Sequence, residues 1–324
     1  MSTQNTMKSS GQLGVAGILI DALKILFNGG KLMASIFVFT IFPSFLLFLG
    51  NHFSTKTLVL DLVLKIIDLQ QSTPGSAEYI ELMGEIRSDV GILMVTEGIF
   101  IAAVWLVCLF VMIATIYASA VNYSGGDLTL KELISRIRAT WTSPAITWFY
   151  ISLFNLGCTL LVWASLGFFF MVATGSSGSI ALTAIAFMVA LLFLCIALYL
   201  SLVSIVSLVV SVLEDGCYGM EAIGKAEGLI KGRRLQGSLL IVLCGLVLVP
   251  ISGFLGFEMS NVNFTEATRL RIAVLVISII CMVKIFSLTV FTVFYYQCNE
   301  IPAEEVQVQQ GKGYNKVPSD EGLP

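Results

Sequence analysis

Glu97 and Lys284 are the ionisable side chains set deepest in the long apolar runs of this sequence, and they are the first candidates for chemistry. Glu97 lies about 9 Å from the outer end of its run and Lys284 about 18 Å along the last one. A charge near a bilayer centre costs at least ~2.5–3.5 kcal/mol, so each requires a partner or water. The functional reading is an ion or proton relay. The structural reading is a Lys–Glu pair or a snorkelling lysine. Ser201, Ser204, Ser207 and Ser211 fall within roughly 120° of one helical face. They either line a polar path or permit close helix packing, with each hydroxyl turned back to its own helix. Lys225, Lys231, Arg233 and Arg234 form a basic group suited to anionic lipid headgroups, each worth about 1 kcal/mol near such a surface. His52 is the only histidine, which removes most His-based metal sites and acid–base pairs. GxxxxGK[ST], HExxH, GxSxG and CxxC motifs are all missing. The sequence assigns no catalytic residue, cofactor or metal ligand.

The elements that must position these residues follow from composition. Of 324 residues, 57% are apolar and only 12% charged, about half the charged share of soluble domains. The surplus of apolar surface belongs in lipid, as an all-α, multi-pass transmembrane helical bundle. A net charge of −3 excludes bulk nucleic-acid binding, which needs a basic surface. Six spans are predicted at 32–50, 91–120, 147–174, 180–213, 237–257 and 272–297, with Pro43 and Pro250 inside the first and fifth. Residues 175–179 allow only a tight hairpin between the third and fourth. The tail 1–12 is polar, without a cleavable signal peptide, and the tail 298–324 reads as disordered. Segment 57–69 and a face of Tyr79, Ile80, Met83, Ile86 and Val90 read as interfacial helices outside the membrane.

Basic residues set the orientation. With both termini on one side, that side holds twelve: Lys8, Lys24, Lys31, Lys131, Arg136, Arg138, Lys225, Lys231, Arg233, Arg234, Lys312 and Lys316. The other side holds five: Lys56, Lys65, Arg87, Arg269 and Arg271. The split predicts cytoplasmic termini. Three cytoplasmic amphipathic helices precede the odd-numbered spans. The first covers Leu13 to Phe27. The second opens with a Thr129–Glu132 capping box and sets Leu130, Leu133, Ile134, Ile137 and Trp141 on one face. The third covers 217–232, with Met220, Ile223, Leu229 and Ile230 as its apolar face. Three units of interfacial helix plus hairpin result, at about 13–120, 123–213 and 214–297. Cys217 is either a palmitoylation site or an ordinary buried or idle thiol, with the second the preferred reading. Of the sequons at Asn122 and Asn263, the first lies on the cytoplasmic side.

Ser211–Glu214, Tyr218, Gly219, Glu221, Ala222, Lys225 and the run Leu229–Arg234 carry a family resemblance. With the opening LGVAGILIDALKILF and segment 123–141, they resemble a plant family of polytopic membrane proteins of unassigned activity. Some members are labelled polyadenylate-binding-protein-binding protein. The SVLEDG…KG pattern is also similar to the membrane domain found beside bacterial glycerophosphodiester phosphodiesterases. The resemblance implies an endomembrane (ER/Golgi) or plasma-membrane protein and carries over no catalytic residue.

Three functions compete. The first is a non-enzymatic membrane scaffold, trafficking or membrane-organising factor. Its partners are the lipid bilayer and an unidentified membrane or cytosolic protein, and not nucleic acid. The second is a small-solute or ion transporter, drawn from the repeat, the serine face, Glu97 and Lys284. The third, a lipid-modifying enzyme, has least support because no acidic or histidine cluster faces a common plane.

Overall fold

The computed structural model describes residues 14–126, 128–175, 180–260 and 265–312. The polar segment 1–12, the sequon Asn263 and the turn residues 176–179 lie outside them. The described elements are α1 (Val15–Asn28), α2 (Gly30–Gln71), α3 (Ala77–Tyr123), α4 (Leu130–Thr140), α5 (Thr142–Gly175), α6 (Ile180–Leu213), α7 (Met220–Ile230), α8 (Arg234–Ser260) and α9 (Glu266–Lys312). Six of them, α2, α3, α5, α6, α8 and α9, are long and apolar enough to cross a membrane. The chain is a multi-pass integral membrane protein with an all-α helical bundle. Helices are the natural outcome, because hydrocarbon offers no partner for an unbonded N–H or C=O. Each short helix, α1, α4 and α7, is followed by two long ones.

Several boundaries differ from those read in the sequence. Segment 57–69 is not a separate interfacial helix but the second half of α2, and 79–90 is the first half of α3. From Asn51 to Gln71 no glycine or proline interrupts the ladder, and the turn comes only at Pro74–Gly75, where φ is +89°. Similarly, α9 runs through 299–312, where the sequence predicts a disordered tail. Residues 313–324 lie outside the described set.

The chain divides into two compact units. Unit 1 comprises residues 1–30, 116–247 and 286–324, and unit 2 comprises 31–115 and 248–285. The largest fully buried side chains all belong to unit 1. They include Ile116 of α3, Leu202 and Val206 of α6, Leu240 of α8, and Phe291 and Phe294 of α9. The short helices join this core by stripes spaced three and four residues apart: Ile18, Ala22 and Ile25 on α1, Leu133 and Ile137 on α4, Ala222, Ala226 and Ile230 on α7. On α7 the buried stripe and the apolar face read in the sequence share only Ile230 among the fully buried residues, and Met220 of that face is exposed.

In unit 2, Ala273, Ile277 and Cys281 of α9 are buried against Phe37, Ile41 and Phe48 of α2 and Leu255 of α8. At the hairpin end of α2 and α3, Leu58, Leu62, Lys65 and Leu69 are half-buried, as are Tyr79, Leu82, Ile86 and Asp89. Both rows repeat at three or four residues, the spacing of a helix–helix seam. Ile80 and Met83, read in the sequence on one face with Tyr79 and Ile86, are exposed.

Candidate functional site

The residues of the sequence's most distinctive stretch meet at the turn between α6 and α7. Helix α6 ends at Leu213, and the next two residues are carboxylates. Tyr295 of α9 donates its hydroxyl to Glu214 Oε1 at 2.8 Å, and Lys225 of α7 forms an ion pair with Glu214 Oε2. Glu214 holds the Lys225 ammonium above the ordinary lysine range. Asp215 faces Arg136 of α4 at 3.4 Å, and the Arg136 guanidinium lies 5.8 Å from the centre of the Tyr117 ring on α3. One turn thus ties four helices to the end of α6.

Gly219 completes the turn. Its N–H donates to Thr147 Oγ1 of α5 at 2.8 Å, and Thr147 is fully buried. At φ +62° a side-chain-bearing residue would be strained, and a Cβ would meet Tyr150 at 3.5 Å. Cys217 is buried, and burial pushes its thiol above the ordinary range, with Glu214 and Glu221 adding to the shift. Of the two readings of Cys217, that environment fits the ordinary buried thiol, because an enclosed, protonated thiol is a poor nucleophile.

The basic group is mostly engaged within unit 1. Lys225 is on Glu214. Arg233 Nη1 donates to Gln297 Oε1 at 3.2 Å. Arg234 lies 5.3 Å from the Tyr199 ring centre, and Tyr199 donates to Glu227. Lys231 is exposed. The serines of α6 turn inward along their own helix: Ser201 donates to Ala197 O, Ser207 to Ser204 O and Ser211 to Leu208 O, each at 2.8–2.9 Å. Ser207 and Ser211 are buried, whereas Ser201 and Ser204 are half-buried. A buried pair, Ser119 Oγ and Thr289 Oγ1 at 3.0 Å, links α3 and α9.

Glu97 and Lys284 are not brought together. Glu97 accepts from Asn51 Nδ2 at 3.1 Å, and Lys284 is exposed. Register explains this. Lys56 of α2, five residues or about 7.5 Å after Asn51, pairs with Glu266 at the start of α9. Lys284 comes eighteen residues after Glu266, about 27 Å along that helix, which leaves it about 20 Å from the level of Glu97. Asn51 and Glu266 carry no sequence signal of their own as partners; only the alignment of α2 with α3 and α9 selects them. Unit 2 has a second polar group that the sequence shows in part. Lys65 pairs with Asp89 at 2.6 Å, Glu85 at 3.2 Å and Asp61 at 3.2 Å. The Asp61–Lys65 spacing of four is visible in the sequence, but the two α3 partners are not. Among the described residues, no group of His, Cys, Asp and Glu side chains has the makings of a metal site.

The family described as Domain of unknown function (DUF8558) matches residues 3–311. The chain belongs to that family. No curated protein and no solved structure matches it. The match covers both units, so the family's extent is the whole helical bundle together with the turn at Glu214.

Proposed function

We propose that the chain is a non-enzymatic multi-pass membrane component. In this reading it is a scaffold or membrane-organising factor that works through α1, α4 and α7 as amphipathic helices at the cytoplasmic surface of an endomembrane or the plasma membrane. The carrying observation is that each short helix docks by one stripe and leaves other apolar side chains uncovered. These are Ile20, Leu23 and Phe27 on α1, Ile134 and Trp141 at α4, and Tyr218 and Met220 at α7. Exposed Lys131, Arg138 and Lys231 accompany them. Apolar residues beside cations are the composition of a helix seated at an anionic lipid interface. The cytoplasmic placement of this surface and of both termini rests on the twelve-to-five distribution of basic residues. The likeness to plant polytopic membrane proteins is consistent with the same placement.

Transport loses two of its supports, since Glu97 and Lys284 stand apart and three α6 hydroxyls bond to their own helix. A variant with Trp141 as its sole tryptophan, in nanodiscs with shallow-brominated lipid, tests the reading. Quenching of Trp141 is expected; unquenched, water-like emission would sink it. Solute or ion flux through liposomes holding the purified chain would instead favour the transporter.

A further inference from the structure

Unit 1 contains hydrogen-bond donors without matching acceptors at the end that carries α7. Arg233, between α7 and α8, is half-buried and donates to Gln297 Oε1. A carboxamide is neutral, and among the described residues no carboxylate forms an ion pair with this guanidinium. Gln297 is only 6% exposed. With its oxygen turned to Arg233, its Nε2 stands beside the same guanidinium, buried and without a partner. Tyr123 stacks on Tyr296 at 4.7 Å, which brings the adjoining turn of α3 alongside. Asn122, the residue before Tyr123, also has its Nδ2 buried without a partner. Glu214, the carboxylate bound by the neighbouring Tyr295, has both oxygens engaged. Arg and amide nitrogens donate and do not accept. Buried donors left unmade are costly, so this cluster calls for an acceptor-rich anion.

We propose that Arg233, Gln297 and Asn122 form a binding site for a phosphomonoester anion, presented by a lipid headgroup or by free phosphate. The guanidinium fork matches two phosphate oxygens, and the two amides can donate to the remaining ones. Arg234 and Lys231 at the same junction add long-range attraction. The site rests on and deepens the surface reading above, replacing diffuse attraction by three named donors. Its test runs in detergent, so it can fail while the membrane seating of α4 holds, and the reverse.

The full chain, purified in detergent, is titrated with dioctanoyl phosphatidic acid, dioctanoyl phosphatidylcholine or inorganic phosphate. Thermal unfolding midpoints and native mass spectrometry are the readouts. Phosphatidic acid is expected to bind saturably and raise the midpoint, and phosphatidylcholine to do neither. Arg233→Lys and Gln297→Leu should each weaken that response about ten-fold, the loss of a charge-assisted hydrogen bond. Lys231→Gln removes an equal charge nearby and should change it by less than about two-fold. If Arg233→Lys does not fold, Asn122→Ala carries the same expectation. Competition by inorganic phosphate identifies a soluble anion as the source, and its absence identifies the headgroup. No saturable response to either anion overturns the site, as does equal weakening by Lys231→Gln and Gln297→Leu.

Discussion

At Gly237 the α8 backbone comes so near α6 that a Cβ would lie 2.7 Å from both δ-carbons of Leu202 and 3.1 Å from Phe294. Leu202 and Phe294 are themselves fully buried and have little room to move. Gly237→Ala should therefore destabilise the chain by about 1–3 kcal/mol through overpacking. Gly245→Ala on the same helix meets nothing within 4 Å, and should be neutral or stabilising by up to about 1 kcal/mol from helix propensity. Denaturant unfolding in detergent distinguishes the two; equal effects would mean that α8 does not pack at Gly237. Tyr295 and Glu214 offer a second residue-level comparison. Tyr295→Phe keeps the ring and removes only the 2.8 Å bond to Glu214, for an expected loss of about 1–3 kcal/mol. In a Glu214→Gln background the same change should cost less, and a simple sum of the two losses would show that the groups are uncoupled.

Helix α4 begins at a capping box in which both reciprocal bonds form: Glu132 N–H donates to Thr129 Oγ1 and Thr129 N–H to Glu132 Oε2. The backbone N–H of Thr129 holds the Glu132 carboxyl below its ordinary value of 4.5. A depressed carboxyl contributes stability above its unfolded value and loses it as pH falls through the folded one. Amide exchange across 130–140 should thus rise below about pH 4.5, and Glu132→Gln should flatten that dependence. Thr129→Ala should free the N-terminus of α4 at neutral pH, at a cost of about 1 kcal/mol. The arm formed by α2 and α3 depends on Lys65, which bridges to Glu85 and Asp89. Lys65→Ala leaves like charges facing one another, and faster amide exchange over 58–70 and 78–90 is expected. Unchanged exchange there would mean that the leucine seam alone holds the arm.

Both termini lie on one side if all six candidate spans cross, and the proposed cytoplasmic side rests on the distribution of basic residues. Protease added to sealed microsomes should remove tags at either end, whereas protection of one tag would require an odd number of crossings. Charges bracket the first pair of spans closely. Residues 32–55 of α2 and 98–123 of α3 carry no ionisable acid or base apart from His52 and tyrosine and cysteine side chains. Each stretch is about 36–39 Å long, enough for the ~30 Å hydrocarbon core. A bilayer crossed by these two stretches would leave the charged remainder, 56–71 and 77–97 with Glu97 at its edge, outside the hydrocarbon core.

Chain class, the number of crossings and the three short helices were legible in the sequence, because each depends on local periodicity and on the lengths of uncharged runs. The capping box at Thr129 was legible for the same reason, since both partners lie within one turn. What lay beyond the sequence was which faces meet. Met220, Ile223, Leu229 and Ile230 share one apolar face in the sequence, yet the side chains of α7 that are buried are Ala222, Ala226 and Ile230, while Met220 is exposed. Glu97 and Lys284 stood out equally as isolated charges, but their separation along the bundle is a matter of helix register. Register is set by non-local contacts such as Lys56–Glu266 and Asn51–Glu97, between residues 210 and 46 positions apart. The same holds for Gln297, whose oxygen is fixed by an arginine 64 positions away. An apolar run in lipid constrains its own length and leaves rotation and depth free, so only the packed helices choose the partners.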